Sequence, residues 1–331
     1  LAKLYGVGVH SLLRPSAVRV DIVGQFRRKH GGANGKHHNE GLQALSLLHD
    51  LAAAYVELEQ RLNKAAPVDY PPERKIGRGR VEQQAEELAA ELRARLGLGL
   101  GPISDLMGLL ELELGVRIFV RPLPSSIAGV YAYHEELGAC ILLNSKHPRA
   151  RRRWTLAHEL AHFMTTRREP SVAFAADRKH PDDVFADAFA AAFLMPSATV
   201  RKIFDEYVGQ EGRFSPRHLI FGAHRLGVSL EAFGRQLEQL ELLPRGTYDS
   251  LRDRGLNEGA VQQVLGARAE SDATEPGARL LLLAAEASEL GLFSEGQLAD
   301  MLVMDRIELR RAIDAFTAVD AFDTATEAHA E

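Results

Sequence analysis

The chain has 331 residues, room for two or three domains and at least one sizeable core. Its make-up is that of an ordinary globular protein, with 46% hydrophobic, 26% charged and 7% aromatic residues, and a net charge of −5 gives no global reason to bind nucleic acid. A single cysteine, Cys140, excludes an internal disulfide framework, suits a reducing cytoplasm, and leaves any metal site to histidines and carboxylates.

No apolar run approaches the ~20 residues of a membrane span, and the opening residues do not read as a signal peptide, so a cytoplasmic protein with no membrane partner is expected. Ala, Leu, Arg and Glu dominate long stretches, which favours helices. The expected fold class is mainly α with a small β-sheet.

The chain opens on Leu1 in mid-pattern, which reads as a truncated N-terminus. Residues 1–13 look like the end of one helix, a Gly turn and a short second helix. Residues 14–40 carry six Lys/Arg against two Asp/Glu and end in a Gly/His/Asn-rich stretch from His30 to Asn39. That stretch reads as a linker, and two readings of its charge stand side by side: a solvated linker, or a basic arm that touches phosphates. Leu45, Leu48, Leu51, Tyr55, Leu58 and Leu62 have helical spacing, giving one connecting helix from Leu42 to Leu62. Ala66 to Arg80, with three prolines, marks a domain boundary.

An amphipathic helix follows from Val81 to Leu96, stopped by the Gly-rich run Gly97 to Pro102. Ser104-Asp105 caps a helix that runs through Glu113, and Val116 to Val120 is a strand. Ala128 to Tyr133 and Ala139 to Asn144 then form a hairpin around the turn Glu135 to Gly138. The hairpin roofs the next helix, and compatibly with that its free edge could hold an extended peptide by strand addition.

That next helix carries His158-Glu159-Leu160-Ala161-His162, an H-E-x-x-H pattern. Residues four apart share a helix face, so His158 and His162 converge on one point, as half of a tetrahedral zinc site requires. Glu159, one step round the turn, is placed as a general base toward water. Trp154, Ala157 and Ala161 make an apolar stripe that lets the helix be buried while its ligand face lines a cleft.

A polar loop is expected from Phe163 to His180, and Pro181 opens an almost wholly apolar helix, Asp182 to Met195. Asp183 and Asp187 interrupt it on one face. Buried carboxylates need a partner or a metal. The simplest arrangement puts Asp183 on the zinc and lets Asp187 accept a hydrogen bond from a ligand imidazole, although an acid in the first turn also suits the helix dipole.

After Pro196, Leu219 to Leu240 reads as helix, tight turn at Gly227-Val-Ser, helix, and Ser294 to Ile313 repeats the pattern. Both resemble residues 1–13 in spacing. This is helix-turn-helix patterning, and it is equally how two helices pack at a corner. Residues 317–331 form an Ala/Thr/acidic tail of disordered composition.

At this point a family resemblance is carried by specific residues. Arg151-Arg-Arg-Trp-Thr-Leu-Ala-His-Glu-Leu-Ala-His162 is similar to the R-x-R-F-T-L-A-H-E-L-G-H of the ImmA/IrrE family of metallopeptidases. Leu143-Asn144 followed by His147-Pro148 resembles its lead-in, and Asp183 to Pro196 resembles its E-x-E-A-N-x-F-A-A-x-x-L-M-P. The resemblance implies a gluzincin-like core, Zn2+ as cofactor, and a protein substrate, a helix-turn-helix repressor whose cleavage releases transcription. It also implies an N-terminal Cro-like domain that contacts DNA, of which residues 1–14 are the tail.

The implied organisation is therefore 1–14, truncated helix-turn-helix domain; 15–80, linker with one helix; 81–200, zinc peptidase; 201–320, helical region with helix-turn-helix-like segments; 321–331, disordered tail. Departures from the pattern stand out. The family's ligand Glu is Asp183 here, its second Glu column is Phe185, its Asn is Asp187, and its Gly is Ala161. Asp is shorter than Glu by about 1.5 Å, which makes Asp182 and His180 fallback ligands. Tyr131, Tyr133 and His134 are candidate oxyanion donors. The rival expectation is a DNA-binding transcriptional regulator with a sensory or inactive peptidase-like domain.

Overall fold

The computed structural model describes residues 22–29, 36–174, 180–266 and 277–314. The expected helix-turn-helix tail (1–14) and disordered tail (321–331) lie outside the described residues. The architecture is mainly helical around one small mixed sheet.

Helix α1 (Ile22–Lys29) and the long α2 (Lys36–Leu62) come first, then α3 (Val81–Arg95) and α4 (Leu106–Glu113). Asp105 caps α4, its carboxylate accepting from Gly108 N at 3.0 Å. Strands β1 (Arg117–Arg121), β2 (Ile127–His134) and β3 (Gly138–Asn144) follow, and β2 and β3 form the expected hairpin. Strand β1 pairs parallel to β3 on its far side. After helix α5 (Arg149–Thr165), strand β4 (Ser171–Phe174) returns to pair antiparallel to β2, giving the order β1-β3-β2-β4.

Every residue of β3 is buried, because helices cover both faces of the sheet. One face, with Ile118, Val120, Tyr131, Ile141 and Leu143, packs against the layer of α3 to α5, α6 (Pro181–Leu194), α7 (Ser197–Glu211), α8 (Pro216–Leu226) and α9 (Leu230–Gln239). The other face, with Phe119, Val130, Ala132, Cys140 and Leu142, packs against α1, α2, α12 (Ala278–Glu289) and α13 (Glu295–Leu302). Two short helices, α10 (Thr247–Asp253) and α11 (Glu258–Leu265), lie between these groups in the chain.

This corrects the reading of residues 15–80 as a linker with one helix. Two helices are described there, and α2 begins at Lys36 rather than Leu42. Helix α2 buries Leu45, Leu48, Leu51, Tyr55 and Leu58 on the sheet, and Ala52 to Ala54 widen the buried surface beyond one stripe. A helix covered by a sheet on one side and by α12 and α13 on another belongs to the core. Arg279 of α12 reinforces the junction, donating to Glu59 of α2 at 3.0 Å while Arg117 of β1 holds the same carboxylate.

The helix-turn-helix pattern at Leu219 to Leu240 is met by α8 and α9. Gly227 ends α8 in the left-handed region (φ +63°), and Ser229 caps α9 by accepting from Ala232 N at 3.1 Å. The pair packs into the same core as α5, and Arg153 of α5 donates to Gly227 O at 3.1 Å. At Ser294 to Ile313 the corresponding corner turns at Val303 (φ +52°).

Candidate metal centre

Helix α5 supplies the first two donors. It enters the core behind arginines whose guanidiniums are satisfied by backbone carbonyls: Arg152 reaches His147 O at 2.7 Å, and Arg153 reaches Ile103 O at 2.6 Å and Ser104 O at 3.1 Å. Such forks fix the rotation of the helix about its axis. From Thr155 to Thr165 every residue is buried.

The helical repeat brings His158 Nε2 and His162 Nε2 to 3.3 Å from each other. Helix α6 packs alongside through Phe185, Phe189 and Phe193, with Pro181 in its first turn, and delivers Asp183 to the pair. Asp183 Oδ1 lies 3.7 Å from His158 Nε2 and 3.5 Å from His162 Nε2. A tetrahedral zinc with arms of about 2.0–2.1 Å has donor-to-donor edges of about 3.3 Å. The three atoms thus have the spacing of ligands round one ion, and the donor set suits zinc. Asp183 reaches the histidines despite its short side chain.

Asp182 and His180 stay apart from this group. They pair with each other at 3.4 Å at the exposed start of α6, where His180 is the N-cap.

Asp187, one turn beyond Asp183, lies 3.0 Å from His158 Nδ1, so that ring nitrogen faces a carboxylate while Nε2 faces the cluster. Trp154 donates its indole N–H to the same oxygen of Asp187 at 3.1 Å. Spacing alone shows Trp154 only as part of an apolar stripe; its polar edge is what matters here.

Burial acts against a charged His158, but hydrogen bonds to Asp183 and Asp187 outweigh it and push its pKa up to about 9. Burial likewise works against an ionised Asp183, and hydrogen bonds from His158 and His162 overcome it, holding the carboxyl well below the usual carboxylate range. The proton held here competes with a metal cation for the same lone pairs.

Glu159 is fully buried. Its Oε2 accepts from Ser171 Oγ at 2.7 Å, and its Oε1 has no hydrogen-bond partner among the described residues. A buried carboxylate oxygen without a partner fits a group meant to take a proton from a bound water. Close approach of α5 to the sheet depends on Gly129 of β2: a Cβ there would lie 2.5 Å from Thr155 Cγ2. Nothing in the sequence marks Ser171 or Gly129 as a site residue. No spacing signals them, because they meet Glu159 and Thr155 only through strand pairing.

Three further expectations are corrected. Tyr131 is spent on structure, its hydroxyl donating to Arg167 O at 2.8 Å. Tyr133 packs edge-on against Tyr70, His134 accepts from Glu136 N at the hairpin end, and none of the three candidate oxyanion donors lines the cleft beside the metal-ligand candidates. The edge of β2 is covered by β4, which lies in the segment read as a polar loop. The cleft beside the donors is lined instead by Ala128, Trp154, Thr155, Ala173 and Phe174 together with His158 and Asp183.

A helix carrying H-E-x-x-H, a third donor from the following helix and a small sheet roofing both are the parts of a zinc-type metallopeptidase. Residues 112–238 match the family model described as the IrrE N-terminal-like domain, Peptidase_M78, so the chain carries a metallopeptidase domain of this kind. The matched span runs from the end of α4 into α9 and therefore takes in the helix corner at Gly227. No curated protein matches the chain.

Proposed function

We propose that the chain is a zinc-dependent endopeptidase of transcriptional regulation, acting in the cytoplasm on a helix-turn-helix repressor protein. The observation that carries the peptidase reading is the triangle of His158, His162 and Asp183 donors with the buried Glu159 on the same helix. When bound, zinc supplies a Lewis acid that polarises the scissile carbonyl and makes water a stronger acid. The proton handling belongs to the chain itself. Glu159 takes a proton from the attacking water as its oxygen bonds to the carbonyl carbon. As the C–N bond breaks, the proton passes to the leaving nitrogen, giving a carboxylate and an amine.

Strand β4 is the edge of the sheet nearest the donors, and an extended polypeptide pairing with it would run past the cleft. The regulatory role and the repressor substrate rest on the resemblance of the α5 and α6 motifs to the ImmA/IrrE family. Against the rival DNA-binding reading stands the outer surface of α9. It presents Glu231, Arg235 and Gln239, and Arg235 is engaged by Asp249 at 2.8 Å, so this helix offers no basic face of its own to phosphates. DNA contact through residues 1–14 lies outside the described residues.

The test is co-expression with a helix-turn-helix repressor encoded beside this chain. The repressor is expected to be cut by the wild type and left whole by Glu159→Gln. Cleavage that survives Glu159→Gln would remove the base from the account, and a metal-free, folded protein that shifts DNA would favour the regulator.

A further inference from the structure

Strand β4 reads Ser171-Val-Ala-Phe174, and its register against β2 places Ser171 opposite Tyr131 and Ala173 opposite Gly129. Tyr131 packs in the layer that holds α5, whereas Val130 belongs to the opposite layer. The period-two alternation therefore turns Ser171 and Ala173 toward α5 and gives Val172 and Phe174 to the other face, where both pack against the core containing α2. Ser171 and Ala173 are both small, and of the two Ser171 carries a hydroxyl.

That hydroxyl donates to Glu159 Oε2 at 2.7 Å, at the long end of the range for an O–H donor on an ionised carboxylate. The other oxygen, Oε1, is wholly buried and has no partner among the described residues. It lies 3.4 Å from the place a Cβ on Gly129 would take, so at that position β2 brings only its backbone toward this oxygen. The two carboxylate oxygens are thus unequal: one is tied to the edge strand and the other is held without a protein donor.

We propose that Ser171 is the positioning residue of the general base: its hydrogen bond to Oε2 fixes the plane of the Glu159 carboxylate and leaves Oε1 as the proton-accepting oxygen. The inference rests on the peptidase reading given above. It adds a specific consequence: the strand beside which substrate would lie also sets the geometry of the base. A free carboxylate would rotate about its last torsion, which is broad and roughly two-fold, and spend much of its time misaligned. The hydroxyl removes that freedom.

The experiment uses the zinc-loaded full chain, with a quenched fluorescent peptide library as substrate and Glu carboxyl carbons labelled with 13C. The Glu159 carboxyl signal is identified by its loss in Glu159→Gln. Ser171→Ala is expected to move that signal and to lower kcat by about 10–100-fold with KM within a factor of about two, the size of effect typical of groups that orient a site from outside it. Ser171→Thr, which keeps the hydroxyl, is expected to return the signal and much of the rate.

An unmoved Glu159 signal in Ser171→Ala overturns the proposal whether or not peptides are cut. So does a moved signal with an unchanged kcat in an active enzyme. A wild type that loads zinc but cuts no peptide in the library, with the Glu159 signal still moved by Ser171→Ala, counts against the peptidase reading, and the role of Ser171 toward a base falls with it.

Discussion

Asp187 Oδ1 lies 3.0 Å from His158 Nδ1, on the opposite side of the imidazole from Nε2, the nitrogen that faces His162 and Asp183. A carboxylate in that place holds the ring with its proton on Nδ1 and its lone pair on Nε2, and makes Nε2 a better ligand. Replacing Asp187 with Ala is expected to weaken zinc binding about 10–100-fold, measured by competition with a chelator. Asp187→Asn keeps an acceptor oxygen and should lose much less. Equal losses in the two variants would mean that the hydrogen bond to His158 is not what matters.

Trp154 donates to the same oxygen of Asp187, and it is the only tryptophan in the chain. Its emission is therefore a built-in report on the ligand shell. Zinc added to metal-free protein is expected to change the fluorescence with the same midpoint as metal binding followed directly. The change should be lost, or reversed in sign, in Asp187→Ala. A titration that leaves the emission flat would place the metal elsewhere.

Gly129 lets helix α5 approach the sheet. A Cβ added there would stand 2.5 Å from Thr155 Cγ2, inside any permitted carbon contact. Gly129→Ala is expected to cost about 1–3 kcal/mol in thermal or denaturant unfolding, as overpacking of a closed core does. Thr155→Ser removes the clashing methyl, so the double variant should recover most of the loss. Additive effects of the two changes would refute this explanation.

Away from the metal, Glu111 gives a pH signature. Burial pushes its pKa up to about 8, with the charge of Asp105 adding to the rise, while hydrogen bonds with the backbone at Ile118 and Arg279 and the positive charge of Arg279 oppose it. Its Oε1 has no hydrogen-bond partner among the described residues. The folded state holds the proton more tightly than the unfolded chain. This contribution is therefore complete below the unfolded carboxyl pKa of about 4.3 and is lost as pH rises through about 8. Glu111→Gln is expected to stabilise the protein above pH 8 relative to wild type, by an amount of order a few kcal/mol, with the gap closing toward pH 5. Parallel stability curves for the two proteins would contradict it.

How much of this could be read from the sequence follows from the range of each signal. His158, Glu159 and His162 are local, three positions in two turns of one helix, and the Asp183 and Asp187 pair shows because acids on a greasy helix demand a reason. The hairpin and the cap at Asp105 announce themselves through short-range turn and cap chemistry. Ser171 does not, because a four-residue strand is too short to display its alternation and its partner is twelve residues back on another element. Gly129 looks like any strand glycine until Thr155 is known to lie over it. Helix α2 looks like a connector in the sequence because helical spacing shows a buried face but not what covers it. The corner between α8 and α9 has the periodicity of a DNA-reading motif and of a packed helical hairpin alike, and only its place in the core that holds α5 tells which packing it serves.

The most direct test is the zinc content of purified full-length protein by elemental analysis. Stoichiometric zinc is expected in the wild type and in Glu159→Gln, falling to background in His158→Ala, His162→Ala and Asp183→Ala. Zinc retained at wild-type level in a folded Asp183→Ala protein would contradict the three-donor site on which the account rests.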